Sequence, residues 1–234
     1  MILCLETATP VCSVALCDRR GVISVRENHA DKSHAVQLTL FIEELLSEAG
    51  IRPGELDAVA VSKGPGSYTG LRIGVSVAKG IAYGASVPLI GIETTRSMFN
   101  GIIGSAEEKY GSDETSLFCP MIDAKRMEVY YSIYDAGGNV IKGISAEIIN
   151  EKSFSDIPET VKIVFFGEGS KKCTGITGHK NSVFDGDFMI SAANMQKPVF
   201  EKFNAGHFED VAYFEPFYLK DFIATVQRKN ILSS

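Results

Sequence analysis

Twelve consecutive residues carry the chain's most suggestive chemistry: Lys63-Gly64-Pro65-Gly66-Ser67-Tyr68-Thr69-Gly70-Leu71-Arg72-Ile73-Gly74. A glycine-rich turn that opens a helix leaves backbone N–H groups free for an anion, and Lys63 and Arg72 add positive charge. The two standard nucleotide patterns nevertheless fail. A Walker loop needs a lysine directly after its last glycine, where this chain has Leu71. A dinucleotide turn needs GxGxxG, and the spacing here is one residue longer. The competing role is structural: a tight strand-to-helix turn that needs glycine torsions, with Thr69 as N-cap.

Other reactive residues are scattered. Glu6-Thr7-Ala8-Thr9-Pro10 places a carboxylate at a strand end, where it could orient water or a metal. The turn after it holds no glycine, and Pro10 has no N–H to offer a phosphate. Glu6, Thr7, Gly64 and Gly66 are therefore the candidates for a weak nucleotide or anion contact at most. Gly167-Glu168-Gly169-Ser170 is a second phosphate-like turn, read more simply as a strand-end loop. His29 and His34 are five apart and turn away from one another on a regular helix. No metal site, catalytic residue or Ser/His/Asp set is assigned. The five cysteines include no CxxC pair, and read as small buried hydrophobes in a reducing compartment.

The elements that must position these residues follow from periodicity. Ile2 to Glu6, Cys12 to Cys17 and Val22 to Arg26 read as three strands, the last two joined by a turn at Asp18 to Gly21. A helix is expected from about Ser33 to Ala49. Ala35, Leu38, Phe41, Ile42, Leu45, Leu46 and Ala49 form its core face, with Val36 and Leu40 in a second apolar strip. Leu56 to Ser62 is a strand, and the glycine stretch launches a helix from about Thr69 to Ala85. That helix is apolar on two sides: Leu71, Val75, Ala78 and Ala82 on one, Ile73, Val77, Gly80, Ile81 and Gly84 on the other. One side is expected to meet the chain's own sheet, and the other either a second protein or another part of this chain. The pattern leaves open which. The expected contact set is Val36, Leu40, Leu71, Arg72, Val75, Ala78, Lys79 and Ala82.

After a strand at Val87 to Ile92 and a helix opened by Glu93-Thr94-Thr95, residues 105–115 turn polar and mark a boundary. The second half again opens with three strands, at Leu117 to Ile122, Met127 to Tyr134 and Val140 to Ile149, followed by Ile163 to Phe166. Two similar α/β units in tandem are expected, each a mixed sheet flanked by helices. The net charge of −6 argues against broad nonspecific nucleic-acid binding. Glu6 interrupts the opening apolar run and no stretch is long enough to span a bilayer. A cytoplasmic chain without membrane contact is expected.

Five segments in order resemble a known family. "MILCLETATPVCSVAL", "KGPGSYTGLRIGVSVAKGIAYG", "VPLIGIET", "MIDAKRMEVYYSIY" and "EPFYLKDF" are similar to the TsaB family, also called YeaZ, and extend from residue 1 to about 222. The glycine segment with its helix is the most specific. The resemblance implies the actin-like ATPase (ASKHA, RNase H-like) fold, with an N-terminal lobe at 1–104, a C-terminal lobe at 105–222, and a tail at 223–234 packed on the first lobe or frayed. It implies a non-catalytic scaffold role in making threonylcarbamoyladenosine next to the anticodon of tRNA. The implied partners are TsaD, a paralogue that performs the transfer, the ATPase TsaE, and a second copy when alone, with tRNA met only through the complex. TsaD or the second copy would be met through the two N-lobe helices. No cofactor is implied beyond weak ATP or ADP binding at a shared interface. TsaD-like proteins hold a metal through HxxxH, and the matching region here, Glu93 to Gly104, has no histidine. The alternative is an ATP-binding kinase or ATPase of the same fold; a peptidase is more remote.

Overall fold

Continuous apolar runs form the central strands of two sheets and are buried on both faces, while the edge strands are partly exposed. The computed structural model describes residues 1–29, 34–111 and 115–219. The first sheet is formed by β1 (Ile2–Glu6), β2 (Cys12–Asp18), β3 (Gly21–Asn28), β4 (Ala58–Gly64) and β5 (Leu89–Glu93), in the order β3-β2-β1-β4-β5. β1 runs antiparallel to β2 and parallel to β4. The second is formed by β6 (Leu117–Asp123), β7 (Glu128–Asp135), β8 (Val140–Ile148), β9 (Ile163–Phe166) and β10 (Ser182–Asp185), in the order β10-β9-β6-β7-β8. β6 runs antiparallel to β7 and parallel to β9, so the second sheet repeats the pairing scheme of the first. β10, only four residues long, was not expected from the sequence.

Between β3 and β4 lies α1 (His34–Ala49), and between β4 and β5 lies α2 (Tyr68–Ala85). Both cover one face of the first sheet, where Leu3, Leu5, Val14, Leu16, Val59 and Val61 meet Leu38, Ile42, Leu45, Val75 and Ala78. Ala35, expected on the core face of α1, is exposed. The other face is lined by small residues, Cys4, Ala15, Cys17, Ala58 and Ala60. All five cysteines are buried and free, which suits their use as compact apolar groups.

Next come α3 (Thr94–Ile103) and the short α4 (Ala106–Tyr110). α3 joins the lobes. Its Met98, Phe99 and Ile102 pack with Phe118, Ile122, Tyr134 and Phe166 of the second sheet. Its buried Thr95 hydroxyl shares hydrogen bonds with the Tyr134 hydroxyl at 3.1 Å and Ser132 Oγ at 3.0 Å. α5 (Glu168–Lys171) follows β9, and α6 (Gln196–Asn204) follows a 3-10 turn at Ala192–Met195.

From residue 192 the chain, expected within the second lobe of 105–222, packs on the first sheet. Ala192, Met195 and Val199 pack under the small-residue face of the first sheet, and Ala192 N donates to Ser13 Oγ at 2.9 Å. Glu209 N donates to Leu89 O at 2.8 Å, and Phe214 joins the core of the first sheet. Residues 192–219 thus build on the first lobe, because that small-residue face would otherwise stay open to water. The expected tail at 223–234 lies outside the described residues. No described helix is long and apolar enough to cross a membrane.

Candidate functional site

The glycine stretch closes on the chain itself. Ser67, rather than Thr69, caps α2, its Oγ accepting from Gly70 N at 3.2 Å. Ser67 N donates to Ala8 O at 2.7 Å, and Thr7 Oγ1 donates to Gly70 O at 2.8 Å. A Cβ on Gly66 would overlap Ala8 O, one on Gly70 would overlap Thr7 O, and one on Gly74 would overlap Thr7 Oγ1. Three glycines therefore serve one close approach, in which the start of α2 lies against the turn after β1. Ser67 N and Gly70 N, two of the N–H groups at the start of α2, are thereby engaged within the chain.

Glu6 stands beneath this contact without exposed surface. Its Oε1 accepts from Ala8 N at 2.7 Å and its Oε2 accepts from the Ser62 hydroxyl. Burial pushes its pKa up to about 7, against the lowering effect of those hydrogen bonds. The candidate anion contact at Glu6, Thr7, Gly64 and Gly66 falls on this closely packed part of the chain. Glu6 and Thr7 are enclosed, Gly66 abuts Ala8, and Gly64 at φ 119° lies under the backbone of Phe217. At the second glycine turn, Ser170 Oγ donates to Gly167 O at 2.7 Å, and burial together with the Asp123 charge raises the Glu168 pKa.

The expected contact set divides in two. Leu71, Val75, Ala78 and Ala82 are buried in the chain's own core, on the sheet side of α2 rather than on its outward side. The reason is size: these residues, with Gly70 and Gly74, let α2 approach β1 and β4 closely. Lys79 is also spoken for, its Nζ donating to Ala212 O at 3.1 Å and Phe214 O at 2.9 Å. It fastens the C-terminal segment to α2. Arg72 is exposed, with its guanidinium 4.9 Å from the Tyr68 ring centre, and the Tyr68 ring lies tilted at 36° against Tyr218, with centres 4.8 Å apart. Lys220 and Asp221 of the EPFYLKDF segment, and the residues after them, lie outside the described residues.

What faces outward is the other apolar side. On α1, Val36 and Leu40 are 60% and 50% exposed, and on α2 Tyr83 is 82% exposed. Gly80 and Gly84 have open space where a side chain would stand. Ile42, Leu46, Ile51, Val77 and Ile81 line an apolar groove of about 480 Å³ between the two helices. Val36 and Leu40 lie off the core face of α1, as the periodicity expects, and Tyr83 stands outside the expected contact set.

Among the described residues, no three His, Cys, Asp or Glu side chains converge as a metal site. His29 Nε2 lies 3.6 Å from Glu27 Oε2, and His179 is buried with Nε2 3.3 Å from Pro158 O.

Comparison with known proteins adds the family. A model described as TsaD, tRNA N6-adenosine threonylcarbamoyltransferase, matches residues 24–225. The chain is 30% identical over 232 residues to the tRNA threonylcarbamoyladenosine biosynthesis protein TsaB of Escherichia coli (strain K12), covering 95% of this chain and 96% of that one. It is 32% identical over 158 residues to the TsaB protein of Haemophilus influenzae, covering 68% of this chain and 58% of the relative. Among solved structures, YeaZ from Pseudomonas aeruginosa matches with a TM-score of 0.79 at 22% identity, covering 93% of this chain and 99% of that one. That likeness is one of fold, and the fold is the two-lobed, actin-like arrangement.

Proposed function

This chain belongs to the TsaB family of tRNA threonylcarbamoyladenosine biosynthesis proteins, and we propose that within that pathway it is a non-catalytic scaffold that binds TsaD. The observation that carries the reading is the outward side of α1 and α2. It combines an apolar groove, exposed Val36, Leu40 and Tyr83, and glycines that leave room for another backbone. Apolar surface of this kind at the junction of two helices stabilises association when a matching helix pair covers it. TsaD has the same fold by the resemblance, so its equivalent helices supply that pair. The same face serves a second copy of this chain when TsaD is absent, and TsaE joins the assembled pair. tRNA is met through the complex.

The scaffold role also draws on Glu6. The carboxylate that an ATPase of this fold would aim at its ligand is here turned inward onto Ala8 N and Ser62. The test is complex formation between the purified chain and the TsaD of the same organism, followed by size-exclusion chromatography with light scattering. Leu40→Asp is expected to weaken the complex by tenfold or more, about 1.4 kcal/mol, while melting as the wild type does. Binding by Leu40→Asp equal to wild type, or no complex with the wild-type chain, would sink the proposal.

A further inference from the structure

At the start of β1, the end away from Glu6, lies a cavity of about 320 Å³ that the docking face does not use. Its walls are the β2–β3 turn, with Asp18, Arg19 and Arg20, and the α6 side chains Phe200 and Phe203; Asp57 closes one side. Gln196 Nε2 donates to Asp18 O at 2.9 Å and holds α6 against the turn. The volume sits at the lower end of ligand pockets, about 300–1,000 Å³.

The acids in this cavity are already engaged. Asp18 Oδ1 accepts from Arg20 N at 2.7 Å and Gly21 N at 3.0 Å, and Asp57 pairs with the Met1 amine. The arginines are not neutralised. Arg19 lies with its guanidinium 5.9 Å from the Phe200 ring centre, and neither arginine has an ion pair among the described residues. Phe200 and Phe203 stand edge to face at 6.5 Å, half-buried, so their rings floor the cavity while remaining reachable.

We propose that this cavity binds a nucleoside phosphate, either a free mononucleotide or one nucleotide of an RNA strand. Flat guanidinium and phenyl groups both offer stacking faces to a planar base. A second guanidinium offers two parallel N–H donors to a phosphate. An acidic peptide would use the arginines and leave the rings wet, and an aliphatic group would do the reverse. A base joined to a phosphate uses both. The chain's net charge of −6 repels polyanions at long range, so binding depends on this local pair of cations. The site shares no residue with the α1–α2 face, so its failure would leave the scaffold reading intact.

The experiment is calorimetric titration of the full chain with AMP, and anisotropy titration with a fluorescein-labelled oligoadenylate RNA. Wild type, Arg19→Gln/Arg20→Gln and Arg20→Lys are compared, with melting curves to show that each is folded. Saturable binding of either probe is expected, about tenfold or more weaker in the double variant and partly retained in Arg20→Lys. Binding of AMP identifies a mononucleotide site, and binding of RNA alone identifies a strand. Absence of binding by both probes at millimolar concentration would overturn the proposal. So would unchanged affinity in the double variant, or ribose 5-phosphate binding as tightly as AMP.

Discussion

A carboxyl taken out of water changes its proton affinity, and Glu6 shows the consequence for stability. Its pKa in the fold is about 7, raised by burial above the carboxylate value of 4.5. The native state therefore binds a proton that the unfolded chain has released. The stability this contributes is fully present below about pH 4.5 and is lost as pH rises through about 7. Glu6→Gln keeps an acceptor for Ala8 N and removes the charge. Relative to wild type it is expected to gain stability as pH is raised from 5 to 8, by on the order of 3 kcal/mol at the upper end. Urea melts of both proteins across that range check it, and a pH-independent difference would contradict the buried, titrating carboxyl. Gly70 offers a second residue-scale test. An added methyl would overlap Thr7 O, backbone that cannot swing aside. Gly70→Ala should cost about 1–3 kcal/mol, read as a lower denaturation midpoint; an unchanged midpoint would remove the close-approach account. These glycines were legible in the sequence as residues with a purpose. Their purpose was not, because the partners Thr7 and Ala8 are some sixty residues away in the chain, and a pattern of spacing resembles a phosphate loop whichever backbone fills it.

At the scale of elements, α2 shows what periodicity can and cannot decide. The 3.6-residue repeat separated two apolar sides correctly, and it separated Val36 and Leu40 from the core of α1. It could not say which side of α2 meets the sheet, since both are apolar. Small residues decided it: Gly70, Gly74, Ala78 and Ala82 permit a close helix-to-sheet contact, and Ile73, Val77 and Ile81 are left beside α1. The contrast gives a paired expectation. Val75→Asp buries an unpaired charge and should unfold or strongly destabilise the chain. Leu40→Asp changes an exposed position and should alter the melting midpoint little, a shift within about 0.5 kcal/mol. Circular dichroism melts separate the two, and equal destabilisation would mean that the faces are misassigned. The return of residues 192–219 to the first lobe was hidden for a similar reason. Its anchors, Ala192 to Ser13 and Lys79 to Phe214, join positions more than a hundred residues apart.

For the whole molecule, the repeated strand order explains how one architecture supports a scaffold. Each lobe is built on a five-stranded sheet with buried central strands, and α3 ties the two through its buried Thr95–Tyr134–Ser132 contacts. The structure presents the α1–α2 surface on one lobe and the arginine–phenylalanine cavity at the start of β1 as a separate one. The tandem architecture was legible because three-strand runs recur in the sequence. The docking surface was legible only in part, because exposure depends on which neighbours arrive from the far end of the chain. The most direct test of the central claim is site-specific photo-crosslinking with the probe placed at residue 40 on α1, or at residue 148 on β8, both exposed. With TsaD present, the probe at 40 should crosslink to it and the probe at 148 should not. Crosslinking from 148 with none from 40 would place the partner on the second lobe and contradict the account.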